Sequence, residues 1–384
     1  MGSKAKSLAD HLAAVPDPRK IRGQRHVLLD IIIIAILGTL SGVDDWEGIE
    51  EFAKDQEAWL RTFLELPHGI PSHDTFNRVF RLLDPSAFTE AFLGWVKGVR
   101  NKLPGDVVAI DGKTLRSSMA EGKPPLHVVS AWSTANHLVL GQRSVDVKSN
   151  EITAIPELLK VLELKGCIVT IDAMGCQKDI ARGIVARKAD YVLAVKGNQE
   201  SLHEAVLAAF AKFDADPDPA TIPHFTTEAM EEGHGRHECR RTTTLDATKH
   251  LPPEILFLWP KLETLVRVQS ETQRAGKTVQ EKRFYISTLL MDKVETIANS
   301  VRSHWGIENE LHWVLDVAFR EDGLRTRMGN GPETGAILRH ITLNMLRQDP
   351  NTKRSIRNRR LKAALSQEYR LAALLGFPGE TPIA

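Results

Sequence analysis

Two short apolar runs, each ending in an aspartate, constrain this chain more than any other feature. They are Val107-Val108-Ala109-Ile110-Asp111 and Cys167-Ile168-Val169-Thr170-Ile171-Asp172. Both are rich in β-branched residues, and the second is unbroken by polar alternation, the pattern of a strand buried in a parallel sheet. In such sheets ligand sites lie at the carboxyl ends of the strands. An aspartate at that end reads as a turn former in isolation, and as a functional group when a second one stands beside it.

The segments around the two runs set their relative placement. Val107–Leu115, His127–Thr134 and His137–Asp146 read as strands separated by turn residues. Glu151–Leu164 follows as a helix, with Pro156 tolerated in its first turn. Then come the strand Cys167–Asp172, a helix over Gln177–Lys188, the strand Tyr191–Lys196 and a helix over about Ser201–Phe213. Three strands, then helix, strand, helix, strand is the order of an α/β, ribonuclease H-like mixed-sheet core. There the fourth strand returns beside the first through a right-handed crossover. That pairing would set Asp111 next to Asp172, although the order alone also permits other mixed sheets.

Residues 1–103 carry a helical period and form an N-terminal helical domain. Leu28–Leu40 is apolar around Asp30 but shorter than the ~20 residues of a membrane span, so it reads as a buried helix. Asp44–Leu66 and Ala87–Leu103 repeat apolar residues at helical spacing, with Pro67, Gly69 and Pro71 breaking the first. Ser72 reads as the N-cap of Thr75–Leu83, which carries Asn77, Arg78 and Arg81. This is compatible with a helix-turn-helix, but without a sharper motif a plain helical bundle is the favoured reading. The core would occupy 104–213. After the Asp214–Pro219 break, a β-rich insertion (214–291) holds strands at Cys239–Leu245, Leu262–Gln269 and Lys282–Leu290. The core resumes over 292–348, and 349–384 reads as a basic tail.

A third acid comes from the helix Val294–Phe319. At about 100° per residue, Val301, Ile307, Leu311, Leu315 and Phe319 share one face. Glu308 falls inside that face, while Arg302 and Glu310 fall outside it. An acid within an apolar stripe is paired, protonated or bound to metal, which selects Glu308. Asp111, Asp172 and Glu308 together could hold Mg²⁺ or Mn²⁺, hard cations that take oxygen ligands, and such a cluster suits phosphoryl transfer. His304, Glu308 and His312 form an alternative metal helix. The blander reading pairs the histidines and Asp316 among themselves and with arginines. His234, His237 and Cys239 have poor spacing for zinc.

The net charge of +1 does not announce a nucleic-acid binder. Its distribution is more telling, because Lys353, Arg354, Arg357, Arg359, Arg360, Lys362 and Arg370 face a single acid, Glu368, within twenty residues. Arg19–His26 is basic as well. These runs could track phosphates or merely solubilise. Three cysteines without CxxC spacing suggest neither a disulfide framework nor a zinc site and fit a reducing cytoplasm. The polar N-terminus has no signal-peptide pattern.

On these residues the chain resembles a bacterial insertion-sequence DDE transposase of the H-repeat-associated (ISAs-type) family. In the N-terminal part the resemblance rests on Asp17-Pro-Arg, Gly23-Gln-Arg-His and Gly69-Ile-Pro-Ser-His-Asp-Thr-Phe-Asn-Arg78. In the core it rests on Ala109-Ile-Asp-Gly-Lys-Thr-Leu-Arg116, Thr170-Ile-Asp-Ala-Met-Gly-Cys-Gln177 and Tyr191-Val-Leu-Ala-Val-Lys-Gly-Asn-Gln199. Near the end it rests on His304-Trp-Gly-Ile-Glu-Asn and Leu311-His-Trp-Val-Leu-Asp-Val-Ala-Phe-Arg-Glu-Asp322.

The resemblance implies that Asp111, Asp172 and Glu308 are the catalytic, metal-binding triad, with two Mg²⁺ or Mn²⁺ ions and no small-molecule cofactor. It implies cleavage at inverted-repeat ends, strand transfer into target DNA by a homodimer on DNA, and a cytoplasmic, nucleoid-associated bacterial protein without membrane attachment. Related enzymes surround the glutamate with Tyr-x2-Arg-x3-Glu-x6-Lys, whereas this chain has Val301, His304 and Leu315 at those positions. The phosphate contacts are therefore assigned to Arg302, His304, Arg325 or Arg327. Lys196 and Asn198 read as DNA contacts or as a solvated strand end. Trp259 reads as a core residue or as a platform for an unpaired base. The alternatives are a ribonuclease H-like nuclease without strand transfer and an inactive DNA-binding derivative.

Overall fold

The computed structural model describes residues 6–119, 124–145, 150–218, 220–233, 236–274, 277–324 and 326–377. Its strands form one nine-stranded sheet in the order β3-β2-β1-β4-β5-β9-β8-β7-β6. The first five are β1 (Val107–Leu115), β2 (Leu126–Ser133), β3 (Leu138–Val145), β4 (Ile168–Ile171) and β5 (Asp190–Val195). β1, β2 and β3 pair antiparallel, while β4 lies parallel between β1 and β5. This is the ribonuclease H-like arrangement expected from the element order.

The crossovers α7 (Glu151–Val161) and α8 (Lys178–Ala186) pack against each other, and against β2, β3 and β5. Glu151 opens α7, so Pro156 sits past its first turn, inside the helix. There it leaves one carbonyl without its helical donor.

The insertion is not a separate body. Its strands β6 (His224–Gly233), β7 (Arg236–Asp246), β8 (Thr264–Arg274) and β9 (Lys277–Ser287) form an antiparallel meander that continues the core sheet. β9 pairs antiparallel with β5, from Val192↔Ser287 to Val195↔Phe284. β6 is an additional strand that the sequence pattern did not separate. It lies at the sheet edge and carries Glu228, Glu231 and Glu232, and charge is how edge strands avoid unwanted pairing. α9 (Glu200–Ala215) leads into this region, and the short α10 (Ala247–His250) and α11 (Pro253–Leu258) join β7 to β8.

The N-terminal region is a helical bundle. It comprises α1 (Leu8–Leu12), α2 (Leu28–Leu40), α3 (Trp46–Asp55), α4 (Glu57–Leu60), α5 (His73–Leu82) and α6 (Pro85–Val99). α2 is apolar all round and buried along nearly its whole length, as such a helix must be. Its buried Asp30 accepts the Leu66 N–H at 2.9 Å. α5 buries Phe76, Val79 and Phe80 and leaves Arg78 exposed. Ser72 precedes α5 as its N-cap, but its hydroxyl pairs with the Thr75 hydroxyl at 3.2 Å instead of a backbone N–H.

The long helix after the sheet runs as α12 (Val294–Gly306), a π-helical stretch (Ile307–His312) and α13 (Trp313–Ala318). α14 (Gly331–Arg347) packs against α2, α5, α6 and β3. Its Asn344 side chain donates to and accepts from the Val139 backbone at 2.8 and 2.9 Å, covering the edge strand β3. The basic C-terminal segment is not a tail. It forms α15 (Ile356–Leu365) and α16 (Gln367–Leu375), and Arg359, Arg360 and Arg370 are buried. Their side chains satisfy backbone carbonyls, as Arg359 does for Leu346 at 2.6 Å and Arg370 for Ala363 at 2.6 Å. One hydrophobic core runs from Leu8 to Ala373, so the helical region, sheet and C-terminal helices are packed together. No helix among the described residues is long and apolar enough to cross a membrane.

Candidate active site

Asp111 and Asp172 are neighbours. The parallel β1–β4 register ends at Ile110↔Ile171, and each aspartate is the next residue on its strand. Adjacent strands lie about 4.8 Å apart, so the carboxylates flank one crevice. β1 continues past this point, paired only with β2. Alternation puts Asp111 on the face covered by α12, where Val107, Ile168, Val192 and Ile297 cluster. Asp172 Oδ1 accepts the backbone N–H groups of Met174 and Gly175 at 3.0 and 3.2 Å, which orients its carboxylate. Gly112 permits the close packing behind Asp111, because any side chain there would strike the Glu151 carboxylate and the His127 ring. Those two are hydrogen-bonded to each other at 2.6 Å.

Glu308 lies in the π-helical stretch. In such a stretch each backbone bond spans five residues, so each residue turns by less than the α-helical 100°. The apolar stripe of Ile307, Leu311, Leu315 and Phe319 is buried as expected. Glu308 is not inside it: the changed winding leaves it exposed. Burial among the apolar residues, expected for Glu308, is therefore not found; its place in the cleft is what sets it apart. Glu308 lines a cleft of about 400 Å³ together with Asp172, His304 and Lys196. Glu310 turns away, to His137 at 2.7 Å and Arg347 at 3.7 Å.

The electrostatics mark the acids as a group. Burial pushes the Asp111 carboxyl up to about 7, the Gly112 N–H opposes this, and the charges of Glu151, Asp172 and Glu308 push further upward. Repulsion of this kind is what a cation would relieve. The donor set is all oxygen and fits Mg²⁺ or Mn²⁺. No three His, Cys, Asp or Glu side chains among the described residues already converge on a single ion position. Glu308 is exposed on its helix and borders the same cleft as Asp172. The alternative histidine helix does not assemble. The His304 ring pairs with the Thr170 hydroxyl at 3.0 Å, while His312 faces Asp111 at 3.6 Å. Burial holds His304 below its usual range and His312 at about 4, so both are neutral near pH 7.

The remaining expected contacts fall in different settings. Lys196 is exposed and lines the cleft. The Asn198 amide donates to the Ala173 carbonyl at 2.7 Å, bracing the loop after β4. Arg302 pairs with Glu231 of β6 at 2.9 Å. Arg327 is exposed and donates to the Ser117 carbonyl at 3.2 Å. Arg325 lies outside the described residues, as does His234 of the weak zinc pattern. Trp259 is buried as a core residue, which leaves no face for a base.

Lys113 carried no role in the sequence reading. It is the second residue after Asp111 and so shares its strand face, where it bonds Asp316 and also Glu321, the latter at 2.6 Å. Asp316 is thus paired, though with a lysine and not an arginine. Lys282, Arg283 and Trp305 also line the cleft, with the Arg283 guanidinium 5.3 Å from the Trp305 ring centre. The insertion brings the first two there through β9, which no local signal could reveal.

The structure thus holds a ribonuclease H-like sheet with two aspartates side by side at the ends of parallel strands. Sequence comparison identifies the family. Residues 102–345 match the Transposase DDE domain, and residues 9–96 match the DDE_Tnp_1-associated region. The chain is 40% identical to Putative transposase YncI of Escherichia coli O157:H7, over 94% of this chain and 93% of that protein. It is 38% identical to H repeat-associated putative transposase YhhI of Escherichia coli (strain K12), over 97% of this chain and 98% of that one. The protein belongs to the DDE transposase family. Among solved structures, a piggyBac transposase synaptic complex with hairpin DNA aligns with TM-score 0.42 and 13% identity, covering 98% of this chain and 80% of that chain. Likeness of that degree decides nothing about this protein.

Proposed function

We propose that this protein is a DNA transposase that hydrolyses the phosphodiester at insertion-sequence ends and joins the freed 3′-hydroxyl to target DNA. The observation that carries the reading is the adjacency of Asp111 and Asp172 at the ends of parallel strands, with Glu308 in the same electrostatic field. These three acids would hold Mg²⁺ or Mn²⁺, which supplies Lewis-acid stabilisation of the attacking and leaving oxygens. The chain's own contribution is placement. The Met174 and Gly175 N–H groups fix the Asp172 carboxylate, and partial burial raises the Asp111 carboxyl to about 7. Lys196, Lys282 and Arg283 line the cleft beside the acids, where a phosphate backbone would gain from positive charge. Water attacks phosphorus and the 3′-oxygen departs; that hydroxyl then displaces a 3′-oxygen of the target in the same way. Two ends must be held at once, so a dimer on DNA is part of the proposal.

The test is cleavage and joining of a duplex bearing the element's terminal repeat, comparing wild type with Glu308→Ala. Joined products with the wild type and none with the variant are expected, with DNA binding retained by both. Cleavage without joining would mean a nuclease. Binding without either reaction would mean an inactive derivative, and activity surviving in Glu308→Ala would mean that another acid completes the set.

A further inference from the structure

We propose that Lys113 and Thr170 are positioning residues that clamp the glutamate-bearing helix at two points, one from each aspartate strand. The proposal rests on reading Asp111, Asp172 and Glu308 as the metal-binding set. Alternation along β1 puts Lys113 on the face of Asp111, and the same alternation puts Thr170 on the face of Asp172. Each strand thus carries an acid and a tie two residues apart. The Thr170 hydroxyl meets the His304 ring at 3.0 Å, one turn before Glu308. Lys113 bonds Asp316, about two turns after it.

Between these ties runs the π-helical stretch Ile307–His312. π-helical geometry is rare, persists mainly as single turns and concentrates at functional sites. Glu308 lies within it and lines the cleft beside Asp172, so ties at both ends of such a stretch would fix the backbone that carries the carboxylate. Lys113 is itself fixed. Its side chain is only 12% exposed, and its second partner Glu321, 2% exposed, also accepts from Arg339 of α14 at 2.7 Å. Two acids balance two bases, so the cluster carries no net charge. A purely structural role would be confined to compensating the buried Glu321. Asp316 separates the two roles, because it touches Lys113 from the catalytic helix while Glu321 and Arg339 keep each other.

The experiment uses the full-length protein and Asp316→Asn, whose side chain is 36% exposed, so that the fold survives. Mn²⁺ binding is followed by EPR without DNA, alongside thermal unfolding, terminal-repeat binding and cleavage. Partners that orient metal ligands contribute about 10–100-fold to affinity or activity. Asp316→Asn is expected to weaken Mn²⁺ binding and slow cleavage within that range, with terminal-repeat affinity unchanged. Thr170→Val should act in the same direction. In a Glu308→Gln background, Asp316→Asn should change Mn²⁺ affinity by less than about twofold, since residues acting through one group are not additive. Wild-type Mn²⁺ affinity in Asp316→Asn, or an equal loss in both backgrounds, overturns the clamp. Glu308→Gln with wild-type Mn²⁺ affinity overturns the metal-site reading, and the clamp with it, and the single variant reveals this by itself.

Discussion

Arg360 offers the sharpest test of whether the basic C-terminal segment serves the fold or the DNA. Its guanidinium donates to the Thr39 carbonyl at 2.9 and 3.1 Å, bonds the Ala318 carbonyl and pairs with Asp44. It also lies 4.4 Å from the centre of the Phe319 ring. The side chains of Arg360 and Asp44 are 6% and 16% exposed, so water screens the pair little. Arg360→Met keeps the aliphatic stem and removes the charge. Taking one partner from a buried ion pair costs about 3–5 kcal/mol, because the other is left uncompensated. Hydrogen bonds from a charged donor are worth about 1.5–3 kcal/mol each but share this cost and do not add to it fully. We therefore expect a loss of about 4 kcal/mol. With a urea m-value of about 3–4 kcal/mol/M for a chain this long, the unfolding midpoint should fall by about 1 M. Alanine at the exposed Arg357 or Lys362 should shift stability by less than about 0.5 kcal/mol. The salt dependence of DNA binding should be unchanged in Arg360→Met. A midpoint within about 0.2 M of wild type, together with a salt slope reduced by about one, would refute the reasoning and place Arg360 on a phosphate.

Two further outcomes are expected. Burial holds the His340 ring at about 3, Glu321 opposing and Arg339 assisting, so the unfolded chain takes up a proton near its ordinary 6.5 that the folded chain refuses. This stability is therefore complete above pH 6.5 and is lost as pH falls toward 3, at about 1.4 kcal/mol per pH unit. The stability difference between wild type and His340→Asn, measured by urea unfolding between about pH 6 and 4, should shrink at that rate; equal slopes would mean that His340 is charged in the fold. Lys196→Ala should lower the slope of log K against log salt for terminal-repeat binding by about one, and an unchanged slope would remove Lys196 from the DNA surface.

The strands that carry the site were legible because burial on both faces leaves a continuous β-branched run, and both Val107–Asp111 and Cys167–Asp172 carry it. α2 was legible for the same reason, since a helix apolar all round has nowhere to go but inside. β6 was less so: an edge strand bonds on one side only and tolerates the glutamates that hide its alternation. The C-terminal arginines were ambiguous because a guanidinium can reach a buried carbonyl or a phosphate equally well, and composition does not say which. Glu308 was selected on a burial argument that the π-helical stretch overturns. The residue stands on its position in the cleft instead.

The order of elements and the two aspartate-terminated runs are properties of the chain read in one dimension; they determined which segments form the core strands and that Asp111 and Asp172 stand at strand ends, while the β1–β4 pairing that makes the two neighbours was one of several the order permits. Tertiary structure decided the rest. It brought β9 onto β5 and so put Lys282 and Arg283 beside the acids, turned Glu308 out of the apolar stripe, and joined Lys113 to Asp316 and Glu321. Strand periodicity is local and survives in sequence, whereas pairings between residues some two hundred positions apart arise only when the core has packed.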